Sequence, residues 1–554
     1  MAISVTRTSP PAPPTNVTAT PGTAQGDLTP GKTYYYRLKI ITNATSGRES
    51  AACAEVSAVA SSNGSIDLSW NENVKVQIWR TPKSGDYSYA YNDGNSLDHD
   101  KHCMFLNGGN KTGPWGGTYT VEGTSFTDLG TASERTAAST CSTYYKWFCN
   151  YKFREWGRGD LYVKGGTEDN PATFDDIYEA DQANGWNTFL KADTGFGTDE
   201  GIRVFTCRDN LYIYDHFKDS SFILKYHGGL YCHNNDGGVR TFGIKSSYDE
   251  VPQSGGQFIA VGVGRHYYHN TFFRNTNLYN IQILSDWEEC QAYKDQPNYR
   301  GYESGMTLHV YDNCEWKNVV IDATFANGAK LLGTTGIDWD YIWIIGNSRG
   351  IACPVDQSAN SFNHIFLANQ WYDLCYYQYG STATVVKIKN PRIMYRGNPT
   401  GRIRFWNERN KTFVLVNPII HPSISMPAAI SQGGGAYDCS VIIKYEFDLR
   451  VVDEKGNGIE NAIVRLIDGQ GNETVLTTAA DGTIDQQELI AKEYYRSTDT
   501  TGNFDTTVDY SNYTLKIQHP KYIPLEFKFT LNEKTDWTAT LKRSTINTDQ
   551  ETIL

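Results

Sequence analysis

The sequence predicts an all-β protein in which two β-sandwiches flank a central parallel β-solenoid. Aromatic residues make up 13% of the 554-residue chain, and aromatic side chains suit strands. The chain contains 50 glycines but only 5 methionines, which favours turns over long helices. Short apolar segments also recur along the middle of the chain at a nearly regular spacing, which is typical of stacked repeats. A chain of this length should therefore divide into several domains.

Residues 1–131 are predicted to form the first β-sandwich. Its leader, Pro10 to Pro14, is rich in proline, so we expect it to be extended and not packed. The next segment has the period of two expected of a half-buried strand. One face of that strand carries Tyr34, Tyr36, Leu38 and Ile40. Further short strands are expected at 65–70 and 74–79, separated by turn residues.

These strands resemble a fibronectin-III-like domain of the kind appended to phage tail and surface proteins. The matching segments are Leu28-Thr-Pro-Gly31, Tyr34-Tyr-Tyr-Arg37, Gly47-Arg-Glu-Ser50, Leu68-Ser-Trp70, Ile78-Trp-Arg80 and Ser125-Phe-Thr-Asp128. The sequence departs from the family between Tyr89 and Gly117, where an apparent insertion lengthens a loop. The resemblance implies a spacer or docking module with no chemistry of its own.

Residues 132–431 are predicted to form a connector and a solenoid. Thr173 can cap a helix that starts at Phe174 and ends at Gly185. Beyond it, short strands each follow an Asn or Asp, a residue that tolerates a left-handed turn. These residues are Asn280, Asn318, Asp340, Asn363, Asn390 and Asn417, and the last five are 22, 23, 27 and 27 residues apart. Such a turn followed by a strand at this period predicts rungs that stack on one another.

A helix that leads into rungs of this length resembles the pectate-lyase-like, right-handed parallel β-helix. Phage tailspikes and many polysaccharide-processing proteins share that fold. The resemblance covers residues 165 to 430. It implies a stiff central body whose outer faces are available for contact.

After the glycine run Gln432–Gly435, which indicates a linker, residues 440–543 are predicted to form the second sandwich. Its segments Val452-Asp-Glu-Lys-Gly456, Ile459 to Leu466 and Thr478-Ala-Ala-Asp-Gly482 resemble the carboxypeptidase-regulatory-like, or transthyretin-like, β-sandwich. That family is again an accessory and adhesion module. Residues 544–554 are expected to be a polar tail.

Charge and composition exclude several classes of function. The net charge is −12 and no long basic run occurs, so we expect no nucleic-acid partner. No apolar run approaches 18 residues, so we expect no membrane insertion. The first residues lack the apolar core of a signal peptide, which favours folding in a cytoplasm. The 11 scattered cysteines are expected to be reduced and mostly buried.

Motifs for nucleotide, hydrolase-elbow and metal chemistry are missing or incomplete. The sequence has no phosphate-binding Gly-x-x-x-x-Gly-Lys motif and no Gly-x-Ser-x-Gly elbow. His99, His102 and Cys103 offer three closely spaced ligands, and His266 and His269 offer two, but neither set supplies the four convergent ligands of a zinc site. We therefore predict no metal and no cofactor.

Glycan cleavage is the enzymatic alternative, because it requires a pair of carboxylates. Asp338 and Asp340 would share one face of a strand, and Glu288 and Glu289, with Asp286 as a further possibility, lie in a preceding loop. Carboxylates are also common at solenoid turns, where they cap backbone amides. The sequence leaves both interpretations open and favours no catalytic residue.

Aromatic residues of the rungs are candidates for glycan contact or for an interface between copies. They are Trp287, Trp316, Trp339, Trp343, Trp371 and Tyr372. Alternation along a strand should point some of them outward, where a ring can stack on a sugar. The competing interpretation is that most of them fill the solenoid interior.

These resemblances imply a non-enzymatic structural and adhesion protein of a phage particle, located on the capsid, collar or tail. We expect assembly in the host cytoplasm, a homotrimer, contacts with other virion proteins and contact with a host-surface glycan. A tailspike-type depolymerase that cleaves host polysaccharide is the first alternative. A bacterial surface adhesin is the second.

Overall fold

The computed structural model describes residues 3–42, 48–87, 104–106, 121–130, 155–193, 203–220, 222–226, 228–245, 256–260, 271–285, 307–322, 327–346, 349–369, 372–376, 384–394, 402–406, 409–433, 437–496, 504 and 506–544. The chain forms two compact units. The first contains Met1–Leu332 and Trp343–Ile351, and the second contains Gly333–Ile342 and Ala352–Leu554. Strands dominate both units, which confirms the all-β fold class.

A β-sandwich forms the N-terminal part of the first unit. Its strands are Thr18–Pro21, Thr33–Thr42, Arg48–Glu49, Val56–Val59, Ile66–Thr81, Met104–Leu106 and Val121–Asp128. The predicted alternation is confirmed, because Tyr34, Tyr36 and Leu38 are fully buried in the core. The strands expected at 65–70 and 74–79 are one strand, whose pairing with Val121–Asp128 shifts register between Ser69 and Val74. A β-bulge of this kind bends a strand without ending it.

A single α-helix is present among the described residues, Phe174–Ala183, and it buries Phe174 and Ile177. The predicted cap is confirmed, because Thr173 and Asp176 bond to each other's backbone N–H groups in a capping box. Phe174 is fully buried. It packs against the rings of Phe189, Phe205, Phe217, Phe222 and Phe242.

Parallel strands form the β-helix of the first unit. One sheet contains Asp160–Lys164, Asn210–Ile213, Leu230–Cys232, Thr271–Phe273, Thr307–Val310 and Asn327–Leu331. The second contains Phe189–Asp193, Arg203–Cys207, Phe217–Asp219, Phe222–Tyr226, Arg240–Gly243, Gly256–Ala260, Thr276–Ser285 and Cys314–Asp322. Nearly all neighbours pair in parallel, as in Ile281 with Val319. The strand Ser4–Thr8, ahead of the leader, pairs with Asp160–Lys164.

The second unit continues the same construction. Two of the three unit boundaries fall within the strands Ile337–Ile345 and Arg349–Cys353. One sheet contains Tyr372–Tyr376, Ile403–Trp406 and Ile430–Gly433. The other contains Ser361–Ala368, Thr384–Lys389, Arg392–Ile393, Arg409–Val416, Ile419–Ile420 and Tyr437–Val452. Val386 pairs in parallel with Phe413, and both are fully buried.

The C-terminal sandwich shares a strand with this β-helix. Tyr437–Val452 pairs along its first half with Arg409–Val416 and along its second half with Thr535–Thr540. Its remaining strands are Ile463–Ile467, Glu473–Thr477, Gln487–Arg496, Thr506–Asp509, Asn512–Gln518 and Leu525–Thr530. The predicted linker at 432–435 is in part a strand, because Gln432 and Gly433 pair with Phe405 and Trp406. The described residues on both sides of the glycine run belong to the strands Ile430–Gly433 and Tyr437–Val452.

The predicted left-handed turns are confirmed at four of the six positions. Asn280, Asn318, Asn390 and Asn417 have φ between 50° and 59°. Their amides bond from rung to rung, as in Asn318 to Asn280 at 2.9 Å and Asn417 to Asn390 at 3.1 Å. At the other two positions the left-handed residue is the next one along the chain, Tyr341 with φ 53° and His364 with φ 47°.

The cysteines agree with the sequence prediction as far as the structure describes them. Seven cysteines are free and buried, which confirms that part of the expectation: Cys53, Cys207, Cys232, Cys314, Cys353, Cys375 and Cys439. Within the described ranges, no helix is both long enough and apolar enough to span a membrane.

Candidate functional site

The predicted carboxylates Asp338 and Asp340 lie on the outer face of a β-helix strand. In Ile337–Ile345, the side chains of Ile337 and Trp339 are buried inside, while those of Asp338 and Asp340 are only partly buried. The expectation that the two carboxylates share one face is therefore confirmed. Their Cα atoms are roughly 7 Å apart, the rise of two residues along a strand.

A histidine from the next rung contacts one of these carboxylates. His364 Nδ1 lies 3.0 Å from Asp340 Oδ1. The two side chains are 31% and 22% exposed, so the pair is within reach of a ligand in solvent. When Nδ1 donates its proton to Asp340, Nε2 is the nitrogen left to accept or deliver a proton. The arrangement can therefore orient an imidazole for hydrogen bonding or for proton transfer.

Aromatic and cationic side chains surround this pair. The ring of Tyr341 stacks on the imidazole of His364, with centroids 4.2 Å apart and 17° between the planes. Phe366 lies further along the strand of His364, and the guanidinium of Arg392 lies over its ring at 5.1 Å. We call Asp340, Tyr341, His364, Phe366 and Arg392 the corner site.

The backbone conformation distinguishes the corner site from its neighbours. The following rungs place Asn390 and Asn417 in the left-handed region, which asparagine tolerates. Tyr341 and His364 adopt the same conformation, although for bulky residues it costs about 1 kcal/mol or more each. Left-handed bulky residues cluster at functional sites, where the conformation aims a side chain that the site needs. We therefore regard the corner site as the strongest functional candidate among the described residues.

Two of the predicted aromatic contact residues lie in the interior. Trp316 and Trp339 are fully buried, so they cannot contact a glycan or another copy. They pack edge to face against Phe273 and Phe362 respectively. Both belong to the inward face of the alternation, and the interior interpretation left open by the sequence holds for them.

The remaining predicted positions are only partly described. Trp343 is partly buried, and so is Tyr372, whose hydroxyl accepts a hydrogen bond from Arg404 Nη1 at 2.6 Å. Trp287, Trp371, Glu288, Glu289 and Asp286 lie outside the described residues, as do His99, His102, Cys103, His266 and His269. In the part of the chain that the structure describes, no group of three or more His, Cys, Asp or Glu side chains could hold a metal ion.

A stack of rings that sequence reasoning missed runs along the first unit. Tyr162, Tyr212, Tyr231, Phe272 and His309 occupy equivalent positions on successive strands. Neighbouring ring centroids are 4.6, 4.3, 5.1 and 4.6 Å apart, and we call this set the ring ladder. The sequence contained a pattern that could have predicted the stack. Each ring lies between two inward-facing residues, as in Leu161-Tyr162-Val163 and Leu211-Tyr212-Ile213.

The geometry of the ring ladder suits stability better than sugar binding. The planes of neighbouring rings differ by only 8° to 24°, so the rings cover one another's faces. Tyr212, Tyr231 and Phe272 each stack on a ring on both sides, which leaves neither face for a sugar. Burial raises the pKa of Tyr231 to about 12 and lowers the pKa of His309 to about 3. The interior of the ladder is therefore shielded from water.

No protein-family model matches the chain, and no curated protein matches it. Among solved structures, the periplasmic alginate epimerase AlgG is similar, with 11% sequence identity over 52% of this chain and 84% of that chain. The TM-score is 0.19. The strand pairing described above defines the fold.

Proposed function

We propose that the chain is a non-enzymatic structural and adhesion protein of a phage particle, in which the β-helix is a stiff arm and the corner site contacts a host-surface glycan. The observation that supports the glycan contact is that Tyr341 and His364, two bulky residues on a partly exposed face, have a left-handed backbone conformation. The virion location is supported by the resemblance of the first sandwich to modules of phage tail proteins. Other virion proteins and a homotrimeric assembly belong to the same proposal.

The chemistry of the corner site suits recognition of a sugar. An exposed carboxylate and an imidazole can bond to hydroxyl groups, and Arg392 can bond to an acidic sugar substituent. The phenol ring of Tyr341 supplies an apolar surface beside them. Hydrolysis would require carboxylates on opposite sides of the glycosidic bond, whereas Asp338 and Asp340 project from one face of one strand.

Binding to purified oligosaccharides tests this role. A panel of capsular and lipopolysaccharide oligosaccharides should include a ligand whose affinity falls by about tenfold or more in Tyr341→Ala, because the ring supplies the apolar contact. The matched control is Tyr522→Ala, which removes a partly buried tyrosine of the C-terminal sandwich. Equal affinities for wild type and Tyr341→Ala would contradict glycan contact at the corner site.

A tailspike-type depolymerase is the second candidate, and the Asp340–His364 contact favours it. A carboxylate that orients an imidazole is one way to position a proton-transfer group. In this case the wild-type protein should release reducing ends from the same polysaccharides, and Asp340→Asn should abolish release while binding persists. Absence of release by a folded, binding-competent protein would leave the adhesion role as the proposal.

A further inference from the structure

The first rung of the β-helix is covered at its open edge by a strand that comes before the sandwich in sequence. Ser4–Thr8 pairs antiparallel with Asp160–Lys164, with Ser4 opposite Lys164 and Thr8 opposite Asp160. The other neighbouring strands described in that sheet of the first unit pair in parallel. The sequence predicted no strand at residues 4–8, and it predicted an unpacked leader at Pro10 to Pro14, of which Pro14 is buried in the structure. We call Ser4–Thr8 the strap, because it covers backbone groups that an edge strand leaves open.

A buried carboxylate completes the site that holds the strap. Arg7 Nε donates to Asp209 Oδ2 at 2.6 Å, and Asp209 is fully buried whereas Arg7 is 15% exposed. Asp209 Oδ1 also accepts the backbone N–H of Gly159 at 2.7 Å. A buried carboxylate that loses its cation is costly, so the site requires a strand that carries an arginine. We call the free edge of Asp160–Lys164 together with Asp209 the strap site.

The strap can dissociate from this site without exposing a fully buried side chain of its own. Its side chains alternate between exposed and partly buried, and none is fully buried. It is held by backbone pairing and by the Arg7 ion pair. The segment that joins it to the sandwich contains Pro10, Pro11, Pro13 and Pro14. Proline-rich segments stay extended and stiff, at about 3.1 Å per residue, so the strap is presented away from the sandwich when it is released.

We propose that the strap site also binds Ser4–Thr8 of a second copy of this chain, so that copies are joined by strand exchange. The register and the ion pair between Arg7 and Asp209 are the same whether the strap comes from one chain or from another. Reciprocal exchange closes a dimer, whereas one-way exchange closes a ring, such as the proposed trimer, or links copy after copy. This assembly route is independent of the glycan proposed for the corner site.

Two single-cysteine variants of the full chain test the exchange. Ser4 and Lys164 are exposed and lie opposite each other, at a separation that a disulfide can span. Ser4→Cys and Lys164→Cys proteins are mixed under reducing conditions, incubated and then oxidised. We expect a covalent dimer on a non-reducing denaturing gel, with a yield at least about tenfold above that of Ser4→Cys mixed with Lys528→Cys, an exposed control position. Equal yields would overturn the proposal.

Two variants of the strap test whether the dimer yield depends on the ion pair between Arg7 and Asp209 or only on the two chains being close together. In the Ser4→Cys chain, Arg7→Glu should lower the dimer yield by at least about tenfold, because Asp209 would face a second carboxylate. Thr6→Glu changes an exposed residue of the same strand and should leave the yield nearly unchanged. Native mass spectrometry gives a reading that needs no disulfide. A dimer population that Arg7→Glu removes and Thr6→Glu keeps supports the exchange, and a monomer at every concentration refutes it.

Discussion

His309 and His364 both stack on aromatic rings of the β-helix, and their surroundings differ. His309 stacks on Phe272 at 4.6 Å, mid-strand in the ring ladder of the first unit. His364 stacks on Tyr341 at 4.2 Å, at a turn of the second unit. His309 lies near the positive charge of Lys330, whereas His364 contacts the carboxylate of Asp340 at 3.0 Å.

This difference shows that histidine can have two roles in the same β-helix, packing between rungs and contacting a ligand. Burial and a nearby cation keep His309 neutral, so its ring packs between rungs as an uncharged aromatic side chain. At His364 the carboxylate of Asp340 engages Nδ1, and the partial exposure of the ring leaves Nε2 as the nitrogen that can contact a ligand. The ring contact alone therefore does not identify a functional histidine. The position of the histidine on the rung and the charge of the neighbouring side chains distinguish a histidine that can contact a ligand.

The largest expected effect is the loss of stability when a ring is removed from the ladder. Phe272→Ala should lower the free energy of unfolding of the first unit by about 2–4 kcal/mol, because two stacked neighbours lose their contact. Urea unfolding followed by tryptophan fluorescence measures this change. The control Ile244→Ala removes a side chain that is 56% exposed and should change stability by less than about 0.5 kcal/mol.

The second expected effect is a pH dependence of stability carried by His309. Its pKa is lowered to about 3 by burial, so between that value and the ordinary histidine value the unfolded chain binds more protons than the folded chain. Neutral His309 therefore stabilises the folded chain fully above the pKa of histidine in the unfolded chain. As pH falls toward 3, the free energy of unfolding decreases by up to about 1.4 kcal/mol per pH unit. His309→Phe should flatten this slope. An NMR titration that shows His309 protonating near the ordinary value would contradict the assignment.

The smallest expected effect is a gain in stability at the corner site. His364→Asn should raise the free energy of unfolding by about 0.5–1 kcal/mol, because asparagine suits a left-handed turn better than histidine. The reciprocal variant Asn390→His should lower it by a similar amount, and thermal unfolding measures both. The same His364→Asn protein should bind the oligosaccharide ligand more weakly. Unchanged or reduced stability in His364→Asn would mean that the turn stores no strain.

Local patterns predicted much of this fold. The alternation around Tyr36, the cap at Thr173 and the left-handed turns at Asn390 and Asn417 all depend on neighbouring residues, which the sequence displays directly. The strand shared by the β-helix and the C-terminal sandwich was missed, because a glycine run looks the same between two strands as between two domains.

The candidate site was predicted only in part. Asp338 and Asp340 were predicted to share one face, because alternation along a single strand decides that, but which face it is was not predicted. The contact between Asp340 and His364 was missed, because it depends on register between rungs 24 residues apart. Trp316 and Trp339 were correctly assigned to rungs, but the sequence left open which face each occupies.

The strand Tyr437–Val452 determines how the C-terminal sandwich responds to pulling. Its backbone runs without a break from β-helix pairing into sandwich pairing. Ion pairs from Lys534 to Glu446 at 2.8 Å and from Lys387 to Glu488 at 2.5 Å reinforce the join. A tensile load applied to the sandwich is therefore passed to the β-helix through the continuous backbone of this strand and through its parallel pairing with Arg409–Val416.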